Sequence, residues 1–178
     1  MKKIICLVLC CSVLIFCLSS CGFNAIMRKY LSDKGNYKDI NVILKDMFYI
    51  NPRTYKSVYA FDPTQITNCN IYFKVIFKST EELLAFIDGD QSTNLLPLEE
   101  HHFILEITAD NHKILCENGF YEQASIGDEI HLKSSNWIYM DGHFDYVAYV
   151  EHDNTEYLSF EDGLKNIVDM MNKNKSLI

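Results

Sequence analysis

From Ile4 to Leu18 the chain is apolar almost without a break, and no run of that length recurs after Cys21. Shorter patterns take over. Asn24 is placed to cap a helix from Ala25 to about Asp33, with Ile26, Met27, Tyr30 and Leu31 on one side and Gly35 as the stop. Asp39 to Ile50 supports two readings. Ile40, Val42 and Leu44 alternate as in a strand, whereas Ile40, Ile43, Leu44 and Met47 fit a helix. Pro52 ends either one. Ser57 to Phe61 is a short strand-like run. Ile71 to Lys78 is the best strand of the chain, rich in β-branched and aromatic residues. Ser79-Thr80-Glu81-Glu82 reads as a capping box that opens a helix carrying Leu83, Leu84, Phe86 and Ile87 and stopping at Asp88-Gly89. Gly89 to Glu100, with Pro97, lacks periodicity and reads as a loop.

From His101 the period becomes two. Phe103, Leu105 and Ile107 alternate, Asn111-His112 reads as a turn, and Lys113 to Cys116 begins another strand before the turn Glu117-Asn118-Gly119. Further strands are expected at Glu129 to Lys133, Trp137 to Met140, Phe144 to Glu151 (after an Asp141-Gly142 turn) and Glu156 to Leu158. Ser159 to Asp162 is a second capping box. It leads into Leu164, Ile167, Val168 and Met171, the stripe of an amphipathic helix. Residues 172 to 178 are expected to fray. The expectation is a single α+β domain: a curled antiparallel sheet or a small oligonucleotide-binding-type (OB-like) β-barrel. Around it stand a short N-terminal helix, a mid-chain helix and a C-terminal amphipathic helix.

The opening apolar run holds about 15 residues, short of the roughly 20 that a spanning helix needs. Lys2 and Lys3 precede it and Leu18-Ser19-Ser20-Cys21 closes it with small residues and a thiol. This resembles the signal peptide and lipobox of bacterial lipoproteins. The resemblance implies that Cys21 receives a diacylglyceryl group and becomes the mature N-terminus. Residues 1–20 would then be removed, 21–24 would form a short tether, and 25–178 the domain. The competing reading is an ordinary secretory signal that ends near a cysteine. Two acyl chains hold a protein on a bilayer where one holds it only marginally. The expected location is therefore the extracytoplasmic side of an envelope membrane.

Charge sharpens this picture. After residue 21 the net charge is −10, split into +3 over residues 22–45 and −13 from Asp46 onward. Anionic headgroups would attract the first segment and repel the second, although a solvated helix face explains the basic residues equally well. An acidic body argues against nucleic acid as a partner. Cys6, Cys10, Cys11 and Cys17 fall in the leader, which leaves Cys69 and Cys116. These two are either a disulfide, which an oxidising compartment permits, or small buried thiols.

All six histidines fall between 101 and 152, near many carboxylates. His101, His102, His143, Asp141 and Asp145 are weak metal candidates, since imidazole and carboxylate suit divalent ions. Their spacing matches no HExxH or calcium loop, and polar turn residues account for them as well. No GxSxG or SxxK sequence is present. Trp137 and Tyr139 share one face of a predicted strand, either as a stacking platform for sugar or peptide or as core anchors. Ile114 to Tyr121, Gly127-Asp128-Glu129-Ile130 and Tyr157 to Leu164 are similar to the C-terminal half of small bacterial envelope lipoproteins of unassigned function. That likeness covers about residues 101–171 and implies a compact β-rich module closed by a helix, with no catalytic residues to carry over. The functional expectation is a non-enzymatic, lipid-anchored binding module for an envelope protein, peptide or glycan, without a cofactor. An envelope hydrolase and a metal-binding lipoprotein are the alternatives.

Overall fold

The computed structural model describes residues 25–86, 102–135, 137–139 and 142–173, with the side chains of 137–139 and 142–144 left aside. Helix α1 covers residues 25–32. A 3-10 turn, Lys34–Asn36, is capped by Asp33, whose carboxylate accepts the Gly35 N–H at 2.9 Å, and it delivers the chain to the strand β1, Tyr37–Ile50. The strand reading of this segment is therefore the right one. Six more strands join it: β2 (Ser57–Val58), β3 (Ile71–Phe77), β4 (Phe103–Ile107), β5 (Glu129–Ser135), β8 (Val147–His152) and β9 (Thr155–Leu158). All neighbours are antiparallel, in the order β4-β3-β1-β5-β8-β9, with β2 also paired to β1. At one point the outer edge of β4 meets the residues just before β8, where Glu106 bridges Tyr146 and donates its N–H to Asp145 O at 2.8 Å. The sheet is thus curled but not closed, and the barrel alternative is not the form adopted.

One extra residue explains why β1 looked ambiguous. Its register against β3 shifts between Leu44 and Asp46, which leaves Lys45 as a bulge. Before the bulge Ile40, Val42 and Leu44 face the main core; after it Met47 and Tyr49 do. A one-residue step inverts the side-chain alternation, so the apolar positions keep neither a clean two-residue nor a helical period. The side chains now turned to the opposite face include Phe48, which stacks on Tyr72 of β3 with ring centroids 5.1 Å apart.

The main core lies between the sheet and three helices: α2 (Thr80–Phe86), α3 (Ala109–Glu117) and α4 (Phe120–Gln123). Phe73, Phe77, Leu105, Ile107, Ile130 and Leu132 of the strands meet Leu83, Phe86, Leu115 and Phe120 there. Ser79 caps α2 by accepting the Glu82 N–H at 3.1 Å. The reciprocal half of the predicted capping box is missing, because Glu82 Oε2 is buried without a partner. Lys38 closes the other end of α2 by donating to the carbonyls of Ala85 and Phe86, both at 2.9 Å.

Helix α3 corrects the sequence reading, which placed a turn at Asn111-His112 and a strand at Lys113 to Cys116. Thr108 caps the helix through the Asn111 N–H at 3.3 Å. Its buried side is Asn111, His112 and Leu115, a proper helical face. Two of those three residues are polar, so hydropathy does not show it. Gly119, at φ +76°, then takes the left-handed conformation that turns the chain into α4.

On the other side of the sheet, α1 and α5 (Phe160–Lys173) cover Tyr37, Tyr146 and Ala148 with Met27, Leu31, Leu164 and Ile167. Tyr37 OH donates to Leu31 O at 3.0 Å and ties β1 to α1. The second capping box is present: Ser159 Oγ accepts the Asp162 N–H at 3.2 Å and donates to Asp162 Oδ2 at 2.7 Å. Asn111 joins α3, β8 and α5 by donating to Val147 O and Gly163 O, at 3.1 and 3.2 Å, and accepting from Asn166. The segment predicted as one strand, Phe144 to Glu151, is interrupted. β6 (Trp137–Tyr139) and β7 (Gly142–Phe144) form a separate two-stranded pair, and Asp145 lies in the break before β8. Among the described residues no helix is long and apolar enough to cross a membrane.

Gly163 is where α5 approaches the sheet most closely. A Cβ there would lie 2.1 Å from Ala148 O, a backbone atom with no rotamer to give way. Gly163→Ala should therefore lift α5 off β8 and cost about 2 kcal/mol or more in a urea titration, despite alanine's better helix propensity. A neutral or stabilising result would show that the helix seats itself without this contact.

Candidate ligand-binding cavity

Among the described residues, no helix covers the α1/α5 face of the sheet over β3 and β4. There a cavity of about 310 Å³ is lined by Tyr72, His102, Phe103, Ile104, Glu106 and Asp145. The pairing explains its floor. Tyr72 stands directly opposite Glu106, and Ile104 lies two residues along the same face of β4. Asp145 is brought in by the break before β8 and by the bond from the Glu106 N–H to its carbonyl.

The two acids are unusual for their burial. Asp145 is only 4 % exposed, and its Oδ1 has no hydrogen-bond partner. Burial pushes its carboxyl up to about 7. Glu106 is also pushed up to about 7 by burial, against the opposing effect of Asn70, whose Nδ2 donates to Glu106 Oε1 at 2.6 Å. Asn70 has little choice of orientation, since its Oδ1 accepts the Ala109 N–H at 2.9 Å, at the start of α3. Tyr72 is raised to about 12, first by burial and then by the nearby Glu106 charge. Tyr146, behind the acids, is raised further by burial and by the same charge. Among the described residues no Lys or Arg lines the cavity, and Lys74, on the same face of β3, makes no ion pair there.

A second polar cluster looks like a cysteine–histidine pair and is not a reactive one. Cys116 lies one helical turn after His112, with Sγ 3.7 and 3.9 Å from the two ring nitrogens. His112 is wholly buried, and burial lowers its pKa, which keeps the ring neutral. Its Nε2 faces the carbonyls of Ile66 and Pro63, at 2.7 and 3.0 Å, and so carries the proton. Its Nδ1 accepts from Tyr121 OH at 2.7 Å. Both nitrogens are therefore engaged. Burial also raises the Cys116 thiol, which disfavours the thiolate. The cluster pins the 3-10 turn Pro63–Gln65 to α3 and supplies no nucleophile.

Of the metal candidates, the structure brings His102 and Asp145 to the same cavity, His102 being exposed at its rim. Cys21, His101 and Asp141 lie outside the described residues, as does the His143 side chain. Among the described residues no three of His, Cys, Asp and Glu gather closely enough to hold a metal ion. Trp137 and Tyr139 lie on β6, paired with Phe144 and Gly142 of β7, but their side chains are outside the description. Cys69 and Cys116 are separate, half-buried free thiols rather than a disulfide, and Cys116 points at Pro63 O, 3.8 Å away. Sequence reasoning missed Glu106, Asn70 and Tyr72. Glu106 sits between Leu105 and Ile107 as an ordinary outward residue of an alternating strand, and nothing local marks its face as covered.

A carboxyl raised by folding stabilises the fold below its unfolded pKa of about 4, and that contribution is lost as pH rises through its folded value. For Asp145 and Glu106 the window runs from about pH 4 to just above 7. Each tenfold in proton affinity is worth about 1.4 kcal/mol. Asp145→Asn should therefore gain on the unsubstituted protein by at least about 1 kcal/mol between pH 5 and pH 8, measured by urea unfolding at each pH. A pH-independent difference would mean that Asp145 titrates like a surface carboxylate.

No protein-family model matches this chain, nor does any curated protein or any solved structure.

Proposed function

We propose that this chain is a lipid-anchored protein of the bacterial envelope, held on the extracytoplasmic side through Cys21, and that it works by binding a ligand rather than by catalysis. The observation that carries the binding reading is the cavity itself, about 310 Å³ in volume, with two carboxyl-bearing residues, a histidine and apolar residues in its lining. Sites of this kind combine apolar walls with a few convergent polar groups, as Ile104 and Tyr72 do with the two acids. The partner is an envelope protein, peptide or glycan, since the −13 charge after residue 45 repels nucleic acid.

An envelope hydrolase is the second reading. It draws on the same two acids, because a carboxyl that holds its proton near neutrality suits general-acid chemistry, with His102 at the rim. A metal-binding lipoprotein has less behind it, as only His102 and Asp145 of its candidate residues meet.

Two measurements in intact cells test the proposal. Cys21→Ser should move the protein from the membrane fraction to the soluble extracytoplasmic fraction, and retention in the membrane would overturn the anchor. A photo-cross-linking residue at the exposed rim position Ile104 should capture an envelope component, with yield falling several-fold on Asp145→Asn. Capture that ignores Asp145 would remove the cavity from the reading.

A further inference from the structure

Deepening the anchor reading above, we infer that the tip of the β1–β2 hairpin is a second membrane contact. Arg53 and Lys56 meet the phosphates of an anionic lipid surface, and Tyr55, Tyr59 and Ile50 enter its headgroup layer. Exposure is the first argument. Six large apolar side chains stand exposed among the described residues, and Ile50, Tyr55 and Tyr59 are three of them. All three sit on or beside this one hairpin, whose strands pair Ile50 with Ser57 and Tyr49 with Val58. Tyr55 is 83 % exposed and Tyr59 54 %. Single apolar residues on a surface need no explanation, whereas a cluster of them marks a contact.

Charge is the second argument. From Met47 to Phe61 the only charged residues are Arg53 and Lys56, in a body that carries −13 from Asp46 onward. Both are exposed, and neither makes an ion pair among the described residues. Asp62, the next acid along the chain, accepts from Thr64 and Gln65. An anionic headgroup layer attracts Lys and Arg by about fivefold in occupancy for each. Tyrosine favours the same layer, because its ring is apolar and its hydroxyl can stay wet. The tether favours lipid over an acidic protein as the occupant. Helix α1 is tied to Tyr37, and the tip lies at the other end of β1, roughly 40 Å along the strand. Tyr59 packs on Phe48, with ring centroids 5.1 Å apart, and so emerges on the sheet face that carries α1. A lipid at Cys21 makes the contact intramolecular, so two cations and a few apolar side chains suffice for it.

The hairpin presents these side chains on a fixed backbone. Asn51 Oδ1 accepts the N–H groups of Arg53 and Thr54, at 2.9 and 3.3 Å. Asn51 O accepts the Tyr55 N–H at 2.8 Å, and the Asn51 N–H donates to Lys56 O at 3.0 Å, which closes the loop. These bonds hold Tyr55 at φ +55°, a left-handed conformation rare for a bulky side chain. Little backbone freedom is left to lose on contact. Helix α5 offers no such surface. It exposes Glu161, Asp162 and Asp169, and none of its large apolar residues stands exposed. The contact is therefore confined to the hairpin.

The test uses the full isotope-labelled chain in bicelles of phosphatidylcholine, with or without phosphatidylglycerol, doped with a headgroup-spin-labelled lipid. Paramagnetic broadening of the Thr54, Tyr55 and Lys56 amides is compared with that of the α5 amides. In anionic bicelles the tip should broaden at least about threefold more than α5. That excess should be lost in neutral bicelles, in about 0.5 M salt, and in the double variant Arg53→Glu with Lys56→Glu. Both positions are exposed, and the variant is compared once its melting curve matches that of the parent. Equal broadening of tip and α5 overturns the inference, as does an excess that charge reversal leaves intact. Tip shifts that grow with protein concentration in neutral detergent would assign the hairpin to a second copy and also overturn it. So would a photo-cross-linker at Tyr55 that captures protein in place of lipid. The anchor is scored separately, by whether Cys21→Ser releases the chain from the bicelles. If the chain is held through Cys21 and its tip does not broaden, the anchor stands and this inference falls. If the chain is not held through Cys21, the anchor falls, and tip broadening in the same mixture still decides the hairpin.

Discussion

The architecture turns on the single extra residue at Lys45. β1 is 14 residues long and pairs with three other strands, β2, β3 and β5. Without the bulge its far half would turn Phe48 into the main core and Met47 and Tyr49 away from it. With the bulge, both halves serve the same core, and Phe48 is released to hold Tyr72 on the opposite face. A bulge also strengthens the local twist. A strongly twisted sheet is what lets the edge of β4 reach the residues before β8 and place Glu106 beside Asp145. The cavity is a consequence of sheet curvature before it is a set of side chains.

Elements whose buried face is apolar were legible in the sequence. Ile71 to Phe77 alternates buried and half-buried without exception, and it was the clearest predicted strand. The C-terminal helix was equally plain, since Leu164 and Ile167 head a stripe that meets the sheet. Where buried positions are polar, the pattern fails. Helix α3 buries an asparagine and a histidine, each satisfied by several partners, and hydropathy reads that as a turn. Thr108 three residues before Asn111 was the available signal, a capping residue at the right distance. The site was least legible of all. Asp145 was picked out for its neighbours in sequence, whereas its importance comes from Glu106, 39 residues earlier and across the curl of the sheet.

The two acids also show how the fold bears an electrostatic cost. Asn111 and His112 are buried deeply and fully hydrogen-bonded, so they add rigidity at little penalty. Asp145 is buried to a similar degree without that compensation. The contrast within one small domain separates polar burial that is satisfied from polar burial that is not.

The position of the cavity relative to the proposed anchor restricts the ligand further. Helix α1 packs on the same sheet face that opens over β3 and β4, through Met27 and Leu31 against Tyr37 and Tyr146. Tyr146 is also the residue that senses the Glu106 charge from behind. If Cys21 carries lipid, the three residues from Gly22 to Asn24 span at most about 10 Å before the helix begins. Whatever enters the cavity would then sit on the side of the sheet from which the chain is tethered. Arg28 and Lys29 belong to α1 on that side, whereas Lys38 reaches the opposite layer, where it donates to the last carbonyls of α2. A tether of that length would keep the cavity within reach of the bilayer to which the chain is proposed to be anchored.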